Sequence, residues 1–349
     1  MPPSASRNTD RLQADWDLLT QRTLGGMSFE PYSADVNPCH FALRWRFVSA
    51  IVLAATVALS AAASGDEPSD QQAPEKRSPK TFVEAIRGDA GHDDDSDDLR
   101  HLDPDRPHLP EASTAVGKGR WLVEGGYTFN EHESSSSQTY PEALLRVGLF
   151  WDWFEFRVGQ SFLSNEHSTS GVTSRVSGPQ DLYLGLKVAV NSSKGLLPAI
   201  ALIPQMTVPT GTRAITGGAA LLGLNVDCGW EVIRDRYDIE LVVANNRVAD
   251  DAQKSHFEVA TGITHAVHLM RMLEAFSEWD AFVPSGTGGG TRHYAVGGLV
   301  FFITKDLAVD FRLGAGLNGE ANRLVVGTGF AFRPRTSSKS TISRRVESW

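Results

Sequence analysis

From Gly119 to Arg333 apolar and polar residues alternate with a period of two, and this alternation limits the segment to a sheet. DLAVDFRLGAG, residues 306 to 316, shows the pattern: Leu307, Val309, Phe311 and Leu313 share one face, and Ala308, Asp310, Arg312 and Gly314 the other. A strand of this kind separates two environments without saying which lies inside. About twelve such segments follow one another, from GRWLVEGGYTF to RLVVGTGFAF, each near ten residues, the length a tilted strand needs to cross a bilayer. The full chain is 41% hydrophobic, and after residue 119 this apolar content is distributed by alternation and leaves no block fit for a membrane helix.

The connections alternate too. NEHESSSSQ, residues 163–179, PTGTRAITGG, RVADDAQK and PSGTGGGTR read as long polar loops, and GLNGEAN as an intermediate one. Between them fall tight links: Trp151-Asp152, NSSKG, IRDR, Leu269-Met270 and TKD. Long and short connections taking strict turns predict an up-and-down barrel, with loops at one rim, tight turns at the other, and both chain ends at the tight-turn rim.

The polar face settles which solvent each side meets. It carries glycines interleaved with Glu124, Arg146, Glu155, Arg157, Lys187, Asp227, Glu258, Glu278, Asp310 and Arg312. A face open to bulk water is usually rich in Lys, Thr and Ser. Glycines with carboxylates and arginines suit a crowded interior where charges pair across strands. Trp121, Tyr127, Phe129, Trp153, Trp230 and Tyr294 lie near strand ends, as interfacial girdles require. The predicted fold is all-β, an antiparallel up-and-down transmembrane β-barrel of about 12 strands. Its domain is residues 119–333, and the charged residues named above are its lumen-lining candidates. A soluble barrel is the competing reading.

RWRFVSAIVLAATVALSAAASGDEP has the basic, apolar and small-residue order of a secretory signal peptide, with cleavage expected after Ala63. Residues 1–63 are thus an N-terminal extension plus signal, and Met27 offers a second start. Residues 64–118 are rich in Pro, Asp and Ser and include the acidic run HDDDSDD (92–98). They read as a disordered acidic periplasmic linker, in which PKTFVEAIRG (79–88) forms one short helix. Residues 334–349 form a basic tail. Neither charge pattern points to nucleic acid. Cys39 falls in the removed segment, which leaves Cys228 as a lone, lipid-facing thiol.

Catalytic motifs are weak. EHSTSG (166–171) sets His167 beside Ser168 and Ser170, the raw material of an outer-membrane hydrolase, but in a loop. SGTGGGT (285–291) lacks the GK[ST] of a phosphate loop. His265 and His268 are three apart and cannot share a strand face, so no metal is expected, and no cofactor. Pro204 and Pro209, in IPQMTVPTG, fall in or beside a strand. Proline removes a ladder bond, so this is a bulge, a local opening, or a lateral exit for an apolar solute.

PDRPHLPEASTAVGKGRWLVEGGYTF, YPEALLRVGLFWDWFEFRVG, DLYLGLKVAV, IPQMTVPTG and VVGTGFAFR together resemble the outer-membrane family named for the meta-pathway of phenol degradation. The likeness covers roughly residues 103–333. It implies a barrel of the FadL/TodX-like transporter superfamily that passes small hydrophobic or aromatic solutes, with outer-membrane lipid and the barrel-assembly machinery as partners. It supplies no catalytic residues. Two departures stand out: the basic tail beyond Phe332, and no sign in the acidic segment of the N-terminal plug of a FadL channel. The expected function is passive passage of a small solute. The alternative is a plugged barrel with a structural or surface-binding role.

Overall fold

The computed structural model describes residues 79–88, 102–169, 172–250, 253–285 and 290–334. All lie in one unit, Glu67–Trp349. The signal peptide with its Ala63 site, the acidic run at 92–98 and the tail after Pro334 fall outside the described residues.

Thirteen strands follow a short helix, α1 (Phe82–Arg87): β1 (Trp121–His132), β2 (Ser135–Gly148), β3 (Phe154–Thr169), β4 (Val172–Pro179), β5 (Leu182–Asn191), β6 (Ala199–Val208), β7 (Leu221–Ile233), β8 (Tyr237–Ala249), β9 (Ser255–Met270), β10 (Leu273–Pro284), β11 (Arg292–Thr304), β12 (Leu307–Gly316) and β13 (Leu324–Phe332). Neighbours pair antiparallel in chain order, β1 pairs with β13, and β2 with β3, so the sheet closes on itself. β4 and β5 occupy one position in the ring. The lower half of β3 pairs with β5 and its upper half with β4. The wall is therefore a closed barrel of twelve strands, and closure removes every edge within the bilayer.

The inner rim carries the tight turns, the start of β1 and the end of β13. At the outer rim two expected loops are absent. NEHESSSSQ folds into the ends of β1 and β2, with only Glu133 and Ser134 between them. Residues 163–179 likewise form the β3–β4 hairpin, which rises above β6. Both stretches lack the hydrophobic alternation that marks a strand in lipid, because they stand clear of it. Their Ser and Thr side chains suit a ribbon wetted on both faces.

The opening question is answered on β12. Ala308 and Asp310 are buried, whereas Phe311 and Leu313 are exposed on the outside. Leu224, Val243, Phe257, Val259, Phe301 and Phe330 are exposed in the same way on other strands. An apolar belt therefore faces outward, as lipid requires. Cys228 alternates outward with Val226, between the inward Asp227 and Gly229. Tyr294 departs from its girdle assignment. It is buried, packs edge-on against Phe282 and accepts the Asn322 amide at 3.2 Å.

α1 carries a capping box: Thr81 Oγ1 accepts the Glu84 amide, and the Glu84 carboxylate accepts the Thr81 amide. Phe82 stands edge-on to Trp153 at 5.2 Å, and Ser192 donates to Glu84 at 3.3 Å. These contacts hold the helix at the inner rim.

Candidate functional site: an occupied lumen

Residues 102–118 run through the barrel, and for this part the reading of 64–118 as a disordered linker is corrected. Leu102, Asp105, Pro107, Pro110 and Ala112 are buried. Pro104, Pro107 and Pro110 recur every third residue, a spacing that favours the polyproline-II conformation, which has no internal hydrogen bonds. Buried backbone groups of such a segment must find partners elsewhere. The wall carboxylates supply them. Glu124 accepts the amides of Asp105 and Arg106, each at 3.1 Å. Glu278 accepts Leu109, Asp227 accepts Glu111 at 2.9 Å, and Glu155 accepts Val116 at 3.0 Å. In the other direction Arg312 donates to the Pro107 carbonyl at 2.7 Å. The partners come from β1, β3, β7, β10 and β12, all around the ring, so the segment is a plug.

Its charges complete the assembly. The Asp105 carboxylate meets Arg146 at 3.1 Å, Arg157 at 2.5 Å and Lys187 at 2.7 Å. Arg146 also pairs with Glu155 at 2.8 Å and Glu124 at 3.2 Å. Arg157 binds Glu111 as well. Burial alone would raise the Asp105 carboxyl, but Arg146, Lys187 and Arg157 outweigh it and hold the group well below the usual carboxylate range. His108 Nδ1 lies 3.3 Å from Glu240. Burial would lower this histidine, yet the Glu240 hydrogen bond and charge raise it above its ordinary value.

The wall is shaped to the plug. Gly126 and Gly329 face each other across β1 and β13, and a Cβ on either would stand 2.4 Å from the Arg106 guanidinium. A Cβ on Gly148 would strike the Gly117 carbonyl, and one on Gly262 would crowd Leu109 and Pro110. The interior glycines read from the sequence as lumen crowding thus mark the path of one segment. Replacing Gly329 by Val should unseat Arg106 and cost about 1–3 kcal/mol, the range for overpacking. A chemical-denaturation midpoint unchanged from the parent would show that the fit is not needed.

Of the ten charged residues predicted for the lumen, Glu124, Arg146, Glu155, Arg157, Lys187, Asp227, Glu278 and Asp310 are buried and inward. Glu124, Arg146, Glu155, Arg157 and Lys187 cluster around Asp105. Arg312 lies across the plug beside Thr128, and Glu258 pairs with Arg292 at 2.5 Å nearer the outer rim. The plug residues Asp105, Arg106, His108 and Glu111 were missed. Their only signal was the three-residue proline spacing, uncharacteristic of a solvated linker.

Above the plug is an outer cavity of about 590 Å³, lined by Gln160, Tyr183, Ile215, Leu221 and Arg247 among others. Below it is an inner cavity of about 380 Å³, lined by Leu102, His108, Trp230, Glu240 and His268 among others. They share no lining residue. Pro204 lies on the outward face of β6. Its partners on β7 are continuous, but between β5 and β6 the ladder skips from Gly185–Gln205 to Val188–Leu202 without a change of register. The ladder is interrupted there without a bulge, and the inward Lys187 and Ile203 remain buried. Pro209 sits past the end of β6, in the outer loop.

Ser168 faces Thr173 across the β3–β4 hairpin, with the hydroxyls 3.5 Å apart. Neighbours on a strand point to opposite sides, so His167 is no base for Ser168. Ser170 and residues 286–289 lie outside the described residues. His265 bonds Tyr237 on the outer face, and His268 contacts Asp238 and Glu274 on the inner one. Among the described residues no group of three or more His, Cys, Asp and Glu could hold a metal.

The family described as Putative MetA-pathway of phenol degradation matches residues 104–333, the plug included. The chain belongs to this family. An outer membrane channel from Pseudomonas putida F1 shares the fold with a TM-score of 0.50 at 12% identity, over 65% of this chain and 99% of that one. The NanC porin gives 0.39 at 11% identity, over 61% and 98%. The KdgM porin in complex with disordered oligogalacturonate gives 0.38 at 10%, over 61% and 99%. No curated protein matches the sequence. Members of the phenol-degradation family are thus joined here by a chain whose fold is that of an outer-membrane barrel.

Proposed function

We infer that the protein is an outer-membrane channel for small hydrophobic or aromatic solutes, which enter the outer cavity and leave sideways through the wall. The carrying observation is the pairing of a blocked axis with a gap in the ladder. A solute moving along the axis would have to part the Asp105 cluster, whose buried charges are costly to separate. The gap at Leu186 and Lys187 against Ile203 and Pro204 lies three residue pairs below Tyr183 and Thr207, which line the outer cavity. Leu186, Leu202 and Pro204 are exposed on its lipid side. Two residue pairs missing from the ladder, a proline without an amide to donate, and an apolar surround make this a place where the wall can part for a solute that prefers lipid. The family's description and the channel from Pseudomonas putida F1 support the reading.

Cysteines at the facing positions Leu186 and Pro204 test it. Oxidation should staple the gap and stop uptake of a small aromatic probe into proteoliposomes, and reduction should restore it. Equal uptake by the oxidised and reduced forms would rule out the lateral route. Absence of uptake in the parent protein would favour the structural role.

A further inference from the structure

We propose that Arg146, Arg157 and Lys187 form a carboxylate-binding site built into the barrel wall, which the plug fills with Asp105 as a ligand in cis. The three side chains come from β2, β3 and β5, neighbours in the ring, and all are essentially fully buried. Two wall carboxylates, Glu124 and Glu155, lie among them, and both are engaged by Arg146. The distribution of partners is uneven. Every hydrogen bond and ion pair of the Lys187 ammonium among the described residues goes to the plug: Asp105 Oδ1 at 2.7 Å, the Ala112 carbonyl at 2.8 Å, and Glu111 at 3.9 Å. Arg157 meets Glu111 and Asp105 on the plug, and on the wall Glu155 at 3.6 Å and the Tyr183 ring at 5.8 Å. The wall cluster therefore has one cation more than it has carboxylates, and two of its cations point at a place the wall itself leaves empty.

That place has the geometry of a carboxylate receptor. Asp105 Oδ2 takes the Arg157 guanidinium, and Oδ1 takes the Lys187 ammonium, Arg146 and the Ala112 amide. Both oxygens of one carboxylate are thus saturated by charged donors in a buried setting, where such bonds are strongest. The wall supplies three of the four donors and the plug's Ala112 amide the fourth, so with the rest of the plug in place a free carboxylate small enough for the vacated volume should bind there. This holds whether or not solutes leave through the gap at Pro204.

The test is chemical rescue in the full chain. Asp105→Gly removes the carboxylate and opens a space for formate or acetate. The variant should lose its folded form, read by heat-dependent mobility on a gel, at a temperature lower by about 10 °C, as expected when a buried ion pair loses one partner. Formate and acetate should recover most of that loss in a saturable way, while chloride at equal ionic strength should not. Neither acid should affect the parent. Adding Lys187→Met to the variant should abolish the rescue. If Asp105→Gly does not fold, its refolding yield in detergent is read instead, with formate against chloride. A yield or melting temperature that formate leaves unchanged overturns the proposal. So does equal rescue by chloride, or an equal effect on the parent.

Discussion

Deleting residues 102–118 should convert a barrel with little or no conductance into an open, cation-selective pore. The deletion removes the segment that, among the described residues, separates the outer and inner cavities, and a twelve-stranded wall is wide enough to hold a water-filled lumen once emptied. The exposed wall would present Glu124, Glu155, Asp227, Glu278, Asp280 and Asp310 against Arg146, Arg157, Lys187 and Arg312, so carboxylates outnumber cations. A wall of that sign attracts small cations. Planar-bilayer recording decides. A folded but silent barrel would mean that the wall seals itself, and anion selectivity would refute the negative wall. In the intact protein Glu124, Glu155, Asp227 and Glu278 are engaged by plug amides, and Asp310 faces the Arg106 side chain at 3.6 Å, so these carboxylates do not line an open pore.

The second large effect concerns the outer face. Arginine at Phe311, in the middle of β12, should cost about 2–4 kcal/mol, the range for a cation on the lipid side near the bilayer midplane. Comparing Arg at inward Ala308 with Arg on the lipid face would not separate the two faces here. Ala308 packs with Leu102, Phe276, Val300 and Phe302, so its side is dry as well. Leucine makes the distinction. Val309→Leu adds a methylene toward lipid and should be nearly neutral, whereas Ala308→Leu overpacks and should cost about 1–3 kcal/mol. Equal folding free energies for the two leucine variants, measured in lipid vesicles, would show that the faces have been assigned wrongly.

Much of the barrel is legible in the sequence because lipid enforces a strict code. DLAVDFRLGAG must alternate, since Phe311 meets hydrocarbon and Asp310 a crowded interior. The code lapses where lipid ends. SSSSQ and the residues around His167 pair as strands through backbone bonds helped by polar side-chain contacts, and no hydrophobic alternation announces it. The lumen charges were legible as charges but not as receptors. Glu278 looks like a pore lining until Leu109 arrives to donate to it. The plug escaped notice for a related reason. A proline-spaced segment without a backbone ladder of its own resembles a linker in composition, and its partners on remote strands distinguish the two. Tyr294 misled because a girdle is inferred from position along a strand, whereas its register places it on the inner face opposite Asp280.

The pairing of β1 with β13 has a consequence for assembly. The first strand made must wait for the last before the ring can close, and the plug is tied to β1 by only a few residues. Were the sheet to curl up first, Arg146, Arg157 and Lys187 would be brought together on adjacent strands with too few counter-charges, a repulsion felt at each pairing step. With Asp105 and Glu111 already among them, every new strand instead neutralises what the previous one left. A plug in place before closure would thus ease the winding of the barrel, which without it could still close against that repulsion, only more slowly.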